Sequence, residues 1–95
     1  LPLTKEEMYV LLEKLAEIHA QLYEYEKVIT EDEMIDFVKL AYLKRETTFI
    51  TPRTMIRDFI QILDVKRQNP DKGIRDILSA YKFAVDEEQT YEDND

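Results

Sequence analysis

Two arginines at the start of one helical segment are the residues of this sequence best suited to chemistry. Arg53 and Arg57 lie four positions apart in FITPRTMIRDFIQILDVKRQNP, directly after Thr51 and Pro52. A cation at a helix N-terminus is opposed by the macrodipole, by about 0.3–1 kcal/mol when exposed. A bound anion would offset that cost, because free backbone N–H groups and a planar guanidinium suit a phosphate. The pattern predicts a phosphate contact; the alternative is a solvated pair with no role.

The other polar residues favour a structural interpretation. His19 is the only histidine and there is no cysteine, so a metal site or a nucleophile–base pair lacks partners, and we interpret His19 as structural. The acids Glu6 and Glu7, and the run at 31–33, fall in predicted first helical turns, where negative charge favours the dipole. TEDEMIDF lacks the alternating oxygen ligands and the turn glycine of an EF-hand, so we reject calcium. No autonomous enzyme is predicted.

Length and composition predict one small all-α domain. The chain has 95 residues, 44% of them hydrophobic, with one glycine and three prolines, which favours long helices over a many-turned β fold. No apolar run reaches membrane-spanning length, and no signal sequence is present. With no cysteine to suggest an oxidising compartment, we expect a cytoplasmic protein without membrane contact. Because the sequence starts at Leu1 and not at Met, we also expect a piece of a longer protein.

The acidic charge is concentrated at the C-terminal end. The net charge is −8, but six of the 21 acids lie in residues 86–95, which leaves 15 acids against 13 bases elsewhere. We therefore predict a helical domain over 1–85 and a flexible acidic tail over 86–95. A nearly balanced body has no dominant basic face, so direct nucleic-acid binding by this piece is not expected.

Helix-start signals place the arginines on the third of four helices. Thr4 with Glu7, and Thr30 with Glu33, form capping-box patterns, and Thr51 followed by proline predicts the third start. The segment QNPDKG ends that helix and begins a short fourth, so a compact bundle of about four helices follows. Apolar residues at helical spacing form the predicted buried stripes: Met8, Leu11, Leu15, Ile18, Leu22 and Tyr25; Met34, Ile35, Val38, Ala41, Tyr42 and Leu43; Ile56, Phe59, Ile60 and Leu63; Ile74, Ile77, Leu78, Tyr81 and Val85.

These features resemble the helical lid subdomain of AAA+ ATPases. A Thr-Pro-Arg opening the third helix is similar to the sensor-2 element of that family, and LPLTKEEM looks like the segment that leads from the ATPase core into the lid. More narrowly, FITPRTMIRDFIQILDVKRQNP is similar to the C-terminal end of a P-loop ATP-binding family found in bacterial phage-exclusion (BREX) gene clusters. That resemblance covers most of residues 1–80 and is densest over 49–70.

The resemblance implies a nucleotide-sensing role for Arg53, which would reach the γ-phosphate of ATP, with Arg57 as the weaker candidate. It implies that a longer parent protein uses ATP and Mg²⁺ as cofactors and that this piece alone binds neither. It also implies that the partner of this piece is the core P-loop domain of the same parent. A homo-oligomer formed through the parent is left open. The sequence departs from the family in having no GxxxxGK[ST] loop and no acidic Mg²⁺ motif. We therefore expect the lid alone, with any ATPase activity belonging to the parent.

A second hypothesis has no link to a nucleotide. The same helices would suit a stand-alone protein–protein interaction module. That hypothesis predicts an exposed apolar groove larger than an isolated domain normally tolerates. A lid separated from its core would expose apolar surface as well, so the neighbouring sequence, in particular a P-loop before Leu1, distinguishes the two.

Overall fold

Four α-helices make up the regular structure of the chain. The computed structural model describes residues 3–47 and 51–80, apart from the side chains of residues 45–47. Helix α1 spans Lys5–Leu22, α2 spans Glu31–Thr47, α3 spans Pro52–Gln68 and α4 spans Ile74–Ala80. The described ranges contain no strand. The predicted all-α bundle of about four helices is confirmed.

Helix starts coincide with the predicted capping residues. The Thr4 side chain accepts a hydrogen bond from the Glu7 backbone N–H at 3.1 Å, and the Glu7 carboxylate accepts one from the Thr4 backbone N–H at 2.9 Å. Thr30 and Glu33 form the same reciprocal pair at the start of α2, with both bonds at 3.1 Å. Two orphan helix donors are satisfied in each box, so these starts are fixed by local sequence.

The buried stripe of α1 is rotated relative to the prediction. Ile18 and Leu22 are 57% and 69% exposed, whereas Leu12 and Ala16 are fully buried. Helix α1 packs against both α2 and α3. The face that meets these helices carries Met8, Leu12, Ala16 and Ala20, while Ile18 and Leu22 lie outside that contact. For Ile18 and Leu22 the predicted burial is therefore wrong.

The other stripes are partly confirmed. Ile35 and Leu43 of α2 and Ile60 of α3 are exposed, contrary to the prediction, while Phe37 and Ile62 occupy the core instead. The reason is again the position of neighbouring helices, which periodicity alone does not give. Most of the core was correctly predicted, and its buried hydrophobic residues are Met8, Leu12, Ala16, Ile29, Met34, Phe37, Val38, Ala41, Met55, Phe59, Ile62, Leu63, Ile74, Ile77 and Leu78.

Some sequence predictions lie outside the described residues. These are the inward positions of Tyr81 and Val85, the packing of Ile50 at the start of α3, and the flexible tail at 86–95. Within the described part of the chain, none of the helices has the length and apolarity needed to cross a membrane.

Candidate functional site

The first turn of α3 carries both candidate arginines on an exposed surface. Thr51 caps the helix: its side chain accepts the Thr54 N–H at 3.1 Å, and its carbonyl accepts the Met55 N–H at 3.1 Å. Pro52 has no N–H, so the Arg53 N–H is the first-turn donor without an acceptor in the described part of the chain. This turn contains no acid. One free donor and an uncompensated positive helix end therefore lie beside an exposed arginine.

Arg53 and Arg57 share one side of α3. A separation of four residues places side chains about 40° apart around the axis and about 6 Å apart along it. Both are exposed, and within the described residues neither has an acid within ion-pair distance. Arg53 is therefore open to solvent on this side of the helix. The two guanidinium groups are thus close enough to contact one polyanion, while their role in binding stays a prediction.

Further along the same side of α3, Asp64 forms a hydrogen bond to His19 of α1. Asp64 follows Arg57 at a spacing of seven, two turns along the helix. Its Oδ1 lies 2.8 Å from His19 Nε2 of α1, and His19 Nδ1 lies 2.7 Å from the Tyr25 hydroxyl. His19 is 8% exposed and both ring nitrogens are engaged, so it joins α1, the turn after it and α3. On this side of α3, Asp64 in the C-terminal half contacts α1, whereas Arg53 and Arg57 in the N-terminal half are exposed to solvent.

The start of α1 is tied to α2. The Tyr42 hydroxyl of α2 donates to the Leu3 carbonyl at 2.7 Å, which links the last turns of α2 to the start of α1. Acids occupy the first turn of α1, at Glu6 and Glu7, whereas the first turn of α3 has none.

A separate apolar groove lies between α1 and α2. Its volume is about 360 Å³, and neither arginine lines it. Val10 and Ile35 are 53% and 38% exposed. The residues that line it are Lys5, Glu6, Tyr9, Val10, Ile35, Val38 and Lys39. This groove is not larger than an isolated domain normally tolerates, so it does not show the large apolar groove that the interaction-module hypothesis predicts.

Sequence reasoning missed a buried charged cluster near the other end of the bundle. Lys66 is 4% exposed, and its Nζ lies 3.1 Å from Glu33 Oε1 and 2.9 Å from the Lys72 carbonyl. The signal was available, because Lys66 continues the spacing of the buried Phe59 and Ile62 by four residues. A charged residue in apolar register predicts a buried ion pair. Asp58, only 2% exposed, was missed in the same way.

Glu33 holds its charge at this cluster despite partial burial. Burial pushes the pKa of Glu33 upward, but the backbone N–H of Thr30, the Lys66 ammonium and the backbone N–H of Ile74 together hold it below its ordinary value. The ionised carboxylate is thus the form that the fold stabilises. In the described part of the chain, no three His, Asp or Glu side chains gather to hold a metal ion.

Fold and surface together define a small helical bundle with an open, cationic helix N-terminus. The family model described as "BREX system ATP-binding protein BrxC/D" matches residues 1–82, a span that includes all four helices. The chain belongs to this family of ATP-binding proteins of the BREX phage-defence system. No curated protein and no solved structure matches it. The resemblance inferred from residues 49–70 is confirmed.

The family assignment has a consequence for where ATP binds. A GxxxxGK[ST] loop needs two glycines, and Gly73 is the sole glycine of the 95 residues. The backbone cradle that normally holds the phosphates is therefore not in this sequence. Any contact of these residues with ATP would use side chains and helix ends.

Proposed function

We propose that this chain is the helical lid of a P-loop ATP-binding BREX protein and that Arg53 contacts the γ-phosphate of ATP held by a core domain. The observation that carries the proposal is the start of α3, where an exposed arginine, a free N–H and a helix dipole lie together without an acid. Each of these favours a phosphate. ATP is the ligand considered because the chain belongs to a family of ATP-binding proteins.

The mechanism is a nucleotide-dependent switch. A core domain would hold ATP and Mg²⁺, and Arg53 would contact the terminal phosphate, so the lid would close over the bound nucleotide. Hydrolysis would remove that contact and let the lid reopen. Arg57, one turn further along α3, strengthens the positive field at the same phosphate but contacts it less directly. The parent protein is then an ATPase, and this chain contributes a sensing residue.

The test is ATP turnover by the intact BREX protein carrying Arg53→Ala. We expect turnover to fall by about 10³-fold, because an arginine on a transferring phosphoryl group contributes that much or more. ATP affinity should fall much less, since the core domain holds most of the nucleotide. Arg57→Ala should reduce turnover by a smaller factor. Lys39→Ala, which removes an exposed cation of α2, is the matched control and should leave turnover unchanged. Unchanged turnover with Arg53→Ala would refute the sensor role.

A second candidate function, a protein–protein interaction module, would use the apolar groove between α1 and α2. On this alternative, Val10 and Ile35 contact another protein and the arginines have no role. Val10→Asp with Ile35→Asp would then abolish the function of the intact protein without changing ATP turnover. The lid proposal predicts the reverse ranking, with Arg53→Ala the more damaging change.

A further inference from the structure

Helix α4 has no local side chain at its N-cap. The residue before it is Gly73, which has no side chain to cap the first turn. A cap for this turn must therefore come from another element.

A carboxylate of α2 supplies the missing cap. Glu33 Oε2 accepts the Ile74 N–H at 3.0 Å, while Glu33 Oε1 accepts the Thr30 N–H at 3.1 Å within its own helix. One side chain thus caps two helices at once. Glu33 also pairs with the buried Lys66 of α3, whose ammonium donates to the Lys72 carbonyl just before α4.

The other polar contact of α4 repeats the same arrangement. Arg75 Nε lies 3.1 Å from Asp36 Oδ2, and Arg75 Nη2 lies 3.3 Å from Asp36 Oδ1. Asp36 follows Glu33 by three residues, on the same side of α2. This second pair is exposed on both sides and contributes little, whereas Glu33 is the partly buried member.

We propose that the charge of Glu33 acts as a latch for α4, so that loss of this charge releases α4 from the bundle while α1, α2 and α3 remain folded. Among the described residues of α4, Ile74, Ile77 and Leu78 are buried in the core. Lys66 faces Glu33 from α3, and the pair of Asp36 with Arg75 of α4 lies one turn further along α2. Asp32 and Glu31, the latter bonded to Tyr9 of α1, share the first turn of α2 with Glu33.

The direction of the pH effect follows from the contacts. The pKa of Glu33 lies below its ordinary value in the folded protein. A carboxylate of this kind contributes stability that is fully present above the ordinary glutamate pKa of about 4.3 and is lost as pH falls through the lower native pKa. The latch is therefore closed at neutral pH and opens only in acid.

Amide hydrogen exchange of the 95-residue chain with Glu33→Gln tests the latch. We expect the amides of residues 77–80 to exchange on the order of 10- to 100-fold faster, because a hydrogen bond to a charged group is replaced by weaker neutral ones. The interior amides of α1 and α3 should change far less. Glu7→Gln is the matched control, since Glu7 closes the equivalent capping box of α1 and bonds no second helix. It should leave α4 exchange unchanged.

A second measurement covers the case in which the variant does not fold. In the unaltered chain, protection of residues 77–80, corrected for intrinsic exchange, should fall below about pH 4.3 while protection within α3 persists. Equal loss of protection in all helices, in the variant or in acid, would overturn the proposal. So would unchanged exchange of α4 in Glu33→Gln.

Discussion

At the scale of single residues, position relative to the bundle decides what each cation does. Lys66 is buried and paired, so its charge is used in the fold. Arg53 and Arg57 are exposed and have no acid partner among the described residues, so their charges contribute little to the stability of the fold. A residue that the fold does not need, at a helix end that disfavours it, is a reasonable candidate for function.

This contrast gives a stability prediction for the 95-residue chain. Arg53→Ala should change the free energy of unfolding by no more than about 0.5 kcal/mol, as for most surface substitutions. Lys66→Ala should destabilise the chain by about 3 kcal/mol, because it leaves a partly buried carboxylate without its cation. Urea denaturation of the two variants measures both values. Unfolding of the chain by Arg53→Ala would mean that the arginine is structural and that the sensor role is wrong.

At the scale of elements, the end of α1 is held in a costly conformation. Glu24 has φ of 55°, in the left-handed region, and the Tyr25 N–H bonds the Ala20 carbonyl at 3.0 Å across this turn. Glycine is the usual residue at such a position. The turn brings Tyr25 back onto His19, as their 2.7 Å contact requires. The strain is thus the consequence of closing the α1–α3 contact.

Replacing Glu24 should relieve that strain. Glu24→Gly is expected to stabilise the chain by about 0.5–1 kcal/mol, since a non-glycine residue in this region costs about 1–2 kcal/mol and glycine adds entropy to the unfolded state. The melting temperature should rise by about 2–8 °C. Glu24→Gln is the control for charge, because it keeps the Cβ and should give only a small change. A lower melting temperature for Glu24→Gly would contradict the strain argument.

At the scale of the whole molecule, the chain has a folded core, and the lid proposal gives it only part of a nucleotide site. Isothermal calorimetry of the 95-residue chain with Mg-ATP should therefore give no measurable binding, with a Kd weaker than about 1 mM, or about −4 kcal/mol. One arginine pair and a helix end replace only a small part of a phosphate-binding loop. Binding in the micromolar range would refute the lid proposal as stated, because it would require a complete site within these residues.

Much of this protein follows from its sequence alone. The three capped helix starts at Thr4, Thr30 and Thr51 were predicted correctly because capping is a contact between residues three apart, which the local sequence contains in full. The four-helix fold was predictable for similar local reasons. The family resemblance was predictable from residues 49–70, where the pattern is most specific.

Other features depended on the tertiary structure. Ile18 and Leu22 are more hydrophobic than Ala16, yet Ala16 is the buried residue, because burial depends on where α2 and α3 lie. Lys66 is buried because Glu33, 33 positions away, can meet it and cap α4 at the same time. His19 meets Asp64 across 45 positions. The sequence determined which helices form and where they begin; contacts between distant residues determined which faces pack, since no local pattern encodes the position of a neighbouring helix.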